Sequence, residues 1–415
     1  MAPSRLVILG SGFGGYSLAR HLPREHAEVT IVSPRNYFVF TPLLPSAVVG
    51  TVEFRSILEP VRRRVRHARV VEAEAEGVDW QARQVICRSA ITDEELALPF
   101  DLLVIAVGAQ VADYGVKGVR EHALCLRDVT DARTIRSRVL LQLSRAALPG
   151  LPEEEVRRRV TFVVCGGGAT GVELAAEVHD LLGDELREDF PEVARFARVL
   201  VLEAAPRLLG GFDAALAEYT REHFGRGGIA VRTSTAVAAI EAEAGGVNTT
   251  VRLVDGEEIP CGAVFWAGGL APHPFVRGLG MPLDERGRLV VDRSLRLPGQ
   301  QGIFALGDCA AFGDPPLPAT AQVAQQQGRH LARALRLEAR GRHAPPFRFT
   351  SYGMLAYIGG RQALADLPQI RWSGRTAWLF WRSVYLTKLV SLANKVKVLF
   401  DWGKAATFGR DTSRF

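Results

Sequence analysis

The chain has 415 residues, 47% of them hydrophobic and 23% charged, ordinary globular proportions at a length that exceeds one hydrophobic core, so two or three domains are expected. Its five cysteines (Cys87, Cys125, Cys165, Cys261 and Cys309) form no CxxC pair and no metal-like cluster, which excludes a zinc module and fits a reducing compartment. The net charge of +6 sits at one end: from Ile370 onward nine positive residues face only Asp401 and Asp411, the remainder nets one negative charge, and nucleic acid is not needed to explain the basicity.

The Met1–Arg5 leader runs directly into the apolar run Leu6–Leu9, leaving no room for a signal or transit peptide. A glycine turn follows (Gly10, Gly12, Gly15), then an Ala-bearing amphipathic stretch, which is the strand–turn–helix context of a dinucleotide fingerprint. One glycine makes the tight turn, one lets the backbone approach a diphosphate, and one allows close helix–strand packing. The helix N-terminus offers unpaired N–H groups and the positive end of its dipole to the phosphates. The next strand, Val29–Val32, ends at Ser33, where this fold commonly places a ribose-binding acid; serine is a weaker partner. Taken alone, Arg35 after Pro34 suggests a 2′-phosphate. The run Leu102–Ala106 leads to Gly108, and the proline- and charge-rich Ala146–Arg159 reads as a surface connection.

The turn then recurs. Phe162–Cys165 precedes Gly166, Gly168 and Gly171, and Val199–Glu203 ends in a carboxylate placed for both ribose hydroxyls. That acid repels a 2′-phosphate, which favours NADH over NADPH, while Arg207 softens the preference. Glu173 is either a helix-start acid complementing the dipole, worth up to about 1 kcal/mol, or a functional carboxylate. Ala263–Ala267 and Gly302–Leu306 complete the strand-like runs, the latter leading into Gly307 and Asp308, an acid able to bind the ribityl and diphosphate region of a flavin. Strands alternating with helical stretches predict an α/β architecture of parallel sheets with two Rossmann-like dinucleotide-binding domains.

The character changes beyond Gly341. Trp372, Trp378, Trp381 and Trp402 lie there, and no proline or glycine interrupts Arg375–Trp402. Apolar Trp378, Trp381, Tyr385, Leu389, Leu392, Val396 and Leu399 recur at helical spacing, opposite Ser383, Thr387, Lys388, Ser391, Asn394, Lys395 and Lys397. This predicts one amphipathic helix, too charged to span a bilayer. A basic, Trp-bearing helix suits the headgroup region of anionic lipid; the alternative is docking on the protein's own core or on a dimer partner.

Five segments then resemble, in order and spacing, the type II NADH:quinone oxidoreductases, single-subunit, non-proton-pumping flavoenzymes of glutathione-reductase-like fold. They are NYFVFTPLLPSAVVGTVEFRSI (Asn36–Ile57), GGGATGVELAAE, AVFWAGGL (Ala263–Leu270), IFALGDCA and ATAQVAQQQG (Ala319–Gly328). SPRNYF, with its serine, and the tail from Ser383 look like the branch found in fungal mitochondria. The resemblance implies FAD held by Gly10, Gly12, Phe13, Gly14, Gly15, Ser33, Pro34, Arg35, Thr41, Pro42, Leu43, Ala106, Gly108, Gly307 and Asp308. It implies NADH held by Gly166, Gly168, Ala169 (where proline is usual), Thr170, Gly171, Glu203, Ala267, Gly268 and Gly269. Glu173 then lies near the flavin–nicotinamide contact, and Gln322 and Gln326 line the pocket of a quinone, ubiquinone or menaquinone.

The expected domains are 1–115 with 296–335 for FAD, 116–295 for NADH, and 336–415 as an amphipathic helical membrane-anchoring and homodimerising region. Five lysines among many arginines fit a GC-rich bacterial genome, hence a peripheral protein on the cytoplasmic face of the bacterial inner membrane. Disulfide reductases need a CxxxxC pair after the first helix, and positions 40–50 hold no cysteine. Sulfide:quinone oxidoreductases, the alternative within this fold, need paired reactive cysteines beside the flavin. A flavin-binding sensor is the alternative outside enzymes.

Overall fold

The computed structural model describes residues 4–242 and 248–414. The chain forms two compact units, one of Met1–Val39, Leu58–Gln110 and Leu270–Ser351, the other of Phe40–Ile57, Val111–Gly269 and Tyr352–Phe415.

In the first unit, among the described residues, five parallel strands lie in the order Ile303–Ala305, Leu102–Ile105, Arg5–Leu9, Glu28–Ser33, Arg69–Asp79. Gln84–Ser89 and Glu95–Pro99 extend the sheet antiparallel. Arg5–Leu9 is buried after its first residue because parallel strands are covered on both faces, hence the unbroken apolar run. Phe13–His21 crosses Ala321–Glu338 closely: a Cβ at Gly328 would stand 2.5 Å from the Gly14 carbonyl oxygen.

The second unit holds five parallel strands in the order Leu124–Cys125, Ala263–Trp266, Thr161–Cys165, Arg198–Leu202, Ile229–Arg232. An antiparallel trio, Val237–Ala242, Thr249–Leu253 and Glu258–Cys261, shares a core with them through Val163, Ile240, Val251 and Trp266. A second trio, Met354–Gly359, Gln362–Asp366 and Arg371–Gly374, packs on the Ala169–Asp184 helix and was not foreseen.

Two further expectations need correction. Within Ala146–Arg159 the charge run is the helix Glu153–Arg159, its three acids in the first turn and three arginines in the last, each end matched to the dipole. The C-terminal helix is two helices, Arg375–Lys388 and Leu392–Phe408. The break falls where Leu389 turns extended and the Ser391 hydroxyl accepts from Asn394 N (3.1 Å), capping the second helix. The break resets the helical phase, so Ser391 and Asn394, expected outside, are buried, whereas Leu392, Val396, Leu399 and Phe400 face outward. The tryptophans turn inward: Arg382 lies 4.2 Å from the Trp378 ring and 4.6 Å from the Trp402 ring, and tethers the two helices. No helix among the described residues is long and apolar enough to cross a membrane.

Candidate active site

The first glycine turn separates what the protein needs for itself from what it offers to something else. A Cβ at Gly10 would overlap the Ala106 carbonyl, at Gly14 the Leu306 side chain, and at Gly15 the Gly10 carbonyl. At Gly12 it would meet nothing within 4 Å, and the extended backbone there (φ −73°, ψ −171°) suits any residue. Crowding therefore does not account for the glycine at position 12, whose bare backbone is open to an external group. No side chain caps the Phe13–His21 helix, so the positive end of its dipole faces the glycine turn. These residues fit the diphosphate of a dinucleotide.

Around this turn, the buried Ser33 hydroxyl lies 2.9 Å from Ser11 Oγ and accepts from Arg35 N (3.3 Å), tying the strand end to the glycine turn. The Phe13 ring stands edge-on to Phe38, with centroids 4.9 Å apart. Ala106 is buried, Gly108 takes φ 72°, and Gly307 and Asp308 form the short turn Gly307–Cys309. Gly10 to Gly15, Ser33 to Arg35, Ala106, Gly108, Gly307 and Asp308 thus share the first unit, while Thr41, Pro42 and Leu43 form a short turn in the second.

The second turn repeats the division. Cβ atoms at Gly166 and Gly171 would overlap the carbonyls of Ala267 and Gly166, whereas at Gly168 nothing lies within 4 Å. Ala169 and Thr170 begin an exposed helix start that no side chain caps. Glu203 accepts from Gly167 N (2.5 Å) and Ala205 N (2.7 Å), so the carboxylate is held against the glycine turn. Gly268 lies against the Trp266 ring, and Gly269 takes φ 136°, a conformation glycine alone adopts readily.

Glu173 is not a solvated helix-start acid. It is 7% exposed, and burial pushes its carboxyl up to about 8, against the opposing hydrogen bond from Tyr357 N (3.0 Å) and with help from the Glu177 charge. Glu177, one turn on and 3% exposed, is raised to about 7 by burial, with Arg410 and the Ser46 hydroxyl (2.5 Å) opposing. The buried Trp381 indole N–H lies beside both Glu173 and Tyr385 and opposes the rise of each. Burial, then the Glu173 charge, hold the Tyr385 hydroxyl protonated.

Gln322 and Gln326 lie on Ala321–Glu338. The Gln326 carboxamide donates to Thr350 O (2.8 Å) and accepts from Thr350 N (3.0 Å). Sequence reasoning missed Gln327, which is buried and accepts from Gly307 N (2.7 Å), fixing the Asp308 turn.

The thiols are held in their protonated form. Burial pushes Cys87, Cys261 and Cys309 up to about 12 and raises Cys125 and Cys165 as well, so none is a thiolate at neutral pH. Nothing supports the paired reactive cysteines that sulfide or disulfide chemistry requires.

Two dinucleotide cradles, with four of the five thiols buried and all five raised above their ordinary pKa, define a flavoprotein oxidoreductase that uses a pyridine nucleotide. The pyridine nucleotide-disulphide oxidoreductase family matches residues 4–328, and the NDH2 C-terminal domain matches residues 352–411. A probable NADH dehydrogenase of Dictyostelium discoideum is 37% identical, over 99% of this chain and 91% of its own. The external alternative NADH-ubiquinone oxidoreductase of Yarrowia lipolytica mitochondria is also 37% identical, over 99% and 80%. NDH2 from Plasmodium falciparum in complex with NADH superposes with a TM-score of 0.92 at 25% identity, over 99% of both chains. The sulfide:quinone oxidoreductase of Aquifex aeolicus, at 20% identity and a TM-score of 0.72, shares the fold alone. The chain belongs to the type II NADH dehydrogenases, the NDH2 family.

Proposed function

We propose that this chain oxidises NADH and passes two electrons, by way of FAD, to a membrane quinone without pumping protons. The observation that carries this reading is the pair of cradles, each with a middle glycine facing open space before an uncapped helix. Bound FAD supplies the two-electron relay between the two substrates.

The chain's own residues bind and orient. Gly12 and the Phe13–His21 N-terminus take the flavin diphosphate, with Gly10, Phe13, Gly14 and Gly15 shaping the turn. Ser33, Pro34, Arg35, Thr41, Pro42, Leu43, Ala106, Gly108, Gly307 and Asp308 surround the rest. Gly168, with Gly166, Ala169, Thr170 and Gly171, takes the NADH diphosphate, and Ala267, Gly268 and Gly269 border the nicotinamide. Glu203 exchanges a backbone N–H for ribose hydroxyls, an exchange that a 2′-phosphate opposes by charge repulsion. Gln322 and Gln326 hydrogen-bond the head of the quinone, ubiquinone or menaquinone. Glu173, neutral up to about pH 8, holds a proton for the reduced quinone oxygen.

Residues 1–115 with 296–335 hold FAD, 116–295 hold NADH, and 336–415 anchor and dimerise the protein. The outward apolar face of Leu392–Phe408, flanked by Lys395, Lys397 and Lys404, supports contact with anionic lipid, on the cytoplasmic face of a bacterial inner membrane.

The test is a flavin spectrum in stopped flow. NADH should bleach the bound flavin, a soluble quinone should restore it, and NADPH should act more slowly. Bleaching by sulfide instead of NADH, or reduced flavin that quinone leaves reduced, overturns the reading.

A further inference from the structure

Apart from its nucleotide cradle, the second unit holds a cleft of about 320 Å³ between the Val129–Ala146 helix and the segment that follows Leu392–Phe408. The helix turns one polar face to it. Thr130, Arg133, Thr134 and Ser137 stand there at helical spacing, and Arg138 lines an adjoining hollow of about 470 Å³. Ser413 and Arg414 line the cleft from the other side, and Arg414 reaches both spaces. Among the described residues no carboxylate lines either space. The acids at the start of the helix, Asp128 and Asp131, form its capping box.

Both walls are held in place. Arg136 Nη2 donates to the Asp411 carbonyl, and the guanidinium lies so close to Gly50 that a Cβ there would overlap it. Arg410 Nη1 lies 2.9 Å from Glu185 Oε2, and Thr412 Oγ1 donates to Asp189 (2.6 Å), which fixes the segment that carries Ser413 and Arg414. Burial holds Arg136 below its ordinary pKa, with Asp411 and Glu53 opposing, and lowers Arg138 too, where Arg145 adds repulsion. Guanidinium groups drawn partly out of water attract an anion. A phosphate suits them best, because it meets their planar forks and the neighbouring hydroxyls together.

We propose that this cleft binds the headgroup phosphate of an anionic phospholipid. The inference rests on the lipid contact proposed above for Leu392–Phe408. Continuity with that helix favours a lipid over a soluble phosphate. Phe54 lines the cleft and belongs to the Phe54–Ser56 turn, on which the helix packs. Glu53 N donates to Asp401 (3.1 Å) and Lys404 Nζ to Glu53 Oε1 (3.0 Å), joining wall and helix. Arg414 follows the exposed Phe408 by six residues, at most about 20 Å of chain. One phospholipid is about that long, half of a roughly 40–45 Å bilayer. Its phosphate in the cleft leaves its acyl chains within reach of the outward apolar face of the helix.

The test titrates dihexanoyl phosphatidic acid, below its micelle concentration, into the holoenzyme by calorimetry, beside glycerol phosphate and hexanoate. The lipid should bind about tenfold tighter than glycerol phosphate or better, through a few buried methylenes, and hexanoate should not bind. Arg133→Gln with Arg138→Gln should weaken the lipid about tenfold or more. NADH:ferricyanide turnover should stay within about twofold, as expected of surface changes. On vesicles of matched surface charge, the wild type should prefer phosphatidic acid to oleate, and the double variant should lose the preference. Lys395→Gln with Lys397→Gln should weaken both and keep it. Should the double variant not fold, Arg414→Gln serves instead, with the same loss expected. Equal affinity for glycerol phosphate and lipid gives the cleft to a soluble phosphate and overturns the proposal, as does unchanged lipid affinity in the variants. A double variant that keeps its phosphate binding but changes oligomeric state makes the cleft an interface between copies, and overturns it too. A wild type that binds the short-chain lipid but no vesicle supports the cleft and overturns the membrane contact proposed above.

Discussion

Replacing Gly168 by alanine should damage nucleotide binding and spare the fold, whereas the same change three residues on, at Gly171, should damage the fold. The new Cβ at position 168 meets nothing within 4 Å, and φ −72°, ψ 179° is open to alanine. Stability should therefore move by no more than about 0.5 kcal/mol. With NADH bound, the methyl pushes the diphosphate away from the helix N-terminus. Losing one charge-assisted hydrogen bond costs about 1.5–3 kcal/mol, which at about 1.4 kcal/mol per tenfold is a rise in NADH KM of about 10- to 150-fold. At position 171 the Cβ would overlap the Gly166 carbonyl oxygen and stand 3.1 Å from its carbon and 3.3 Å from Ala267 Cβ. Overpacking of that kind costs about 1–3 kcal/mol, or roughly 2–12 °C of Tm at about 2–4 °C per kcal/mol for a unit of this size. Calorimetry and NADH titration with ferricyanide as acceptor read the two effects separately. An unchanged KM in Gly168→Ala, or a loss of Tm matching that of Gly171→Ala, would refute the division of labour among the glycines.

Glu173→Gln should stabilise the protein at alkaline pH. The folded carboxyl titrates at about 8 against an ordinary value of 4.5, so the wild-type fold is unpenalised below about pH 4.5 and loses stability as pH rises through 8. Unfolding free energies from urea titrations should coincide near pH 4.5 and separate by on the order of 5 kcal/mol above pH 8; no separation there would count against the buried, neutral acid. Iodoacetamide at pH 7 should leave the folded protein unmodified at Cys87, Cys165, Cys261 and Cys309 and its turnover intact, as mass spectrometry and an NADH assay report. Inactivation with a label on Cys309 would mean an accessible thiolate. Replacing Leu392, Val396, Leu399 and Phe400 by serine should leave Tm unchanged and abolish co-sedimentation with anionic vesicles; vesicles that still bind the variant would place the lipid contact elsewhere.

The glycine turns were legible because their physics is local: a carbonyl that would collide with a Cβ leaves its mark as glycine, and a doubly covered strand leaves an unbroken apolar run. Leu6–Leu9 and Phe162–Cys165 could hardly be read otherwise. The Met354–Gly374 strands were hidden because their short runs lack clean alternation and precede a helix of strong periodicity. The break at Leu389 was hidden because Leu, Val and Ser are each tolerated inside a helix; only the cap from Ser391 to Asn394 reveals the stop. Glu177 did leave a signal. Three acids at i, i+4 and i+7 within VELAAEVHD, with no lysine or arginine among them, cannot all be solvated on an apolar helix face. Glu203 was found as an acid at a strand end, but its hold on Gly167 N depends on the fold of a turn 36 residues earlier.

The motif on Ala321–Glu338 is shared between two tasks. The Gln325 carbonyl receives the Ser17 hydroxyl (3.0 Å), Gln327 holds Gly307, and Gly328 leaves room for the Gly14 backbone. Three positions of AQVAQQQG, 325, 327 and 328, are thus framework for the first glycine turn and the Asp308 turn, whatever acceptor the protein serves. Position 326 is itself tied to Thr350 by two hydrogen bonds, so anyone redesigning the enzyme for a different electron acceptor would begin by varying position 322. A library that randomises the whole motif would spend most of its members on variants that can no longer assemble.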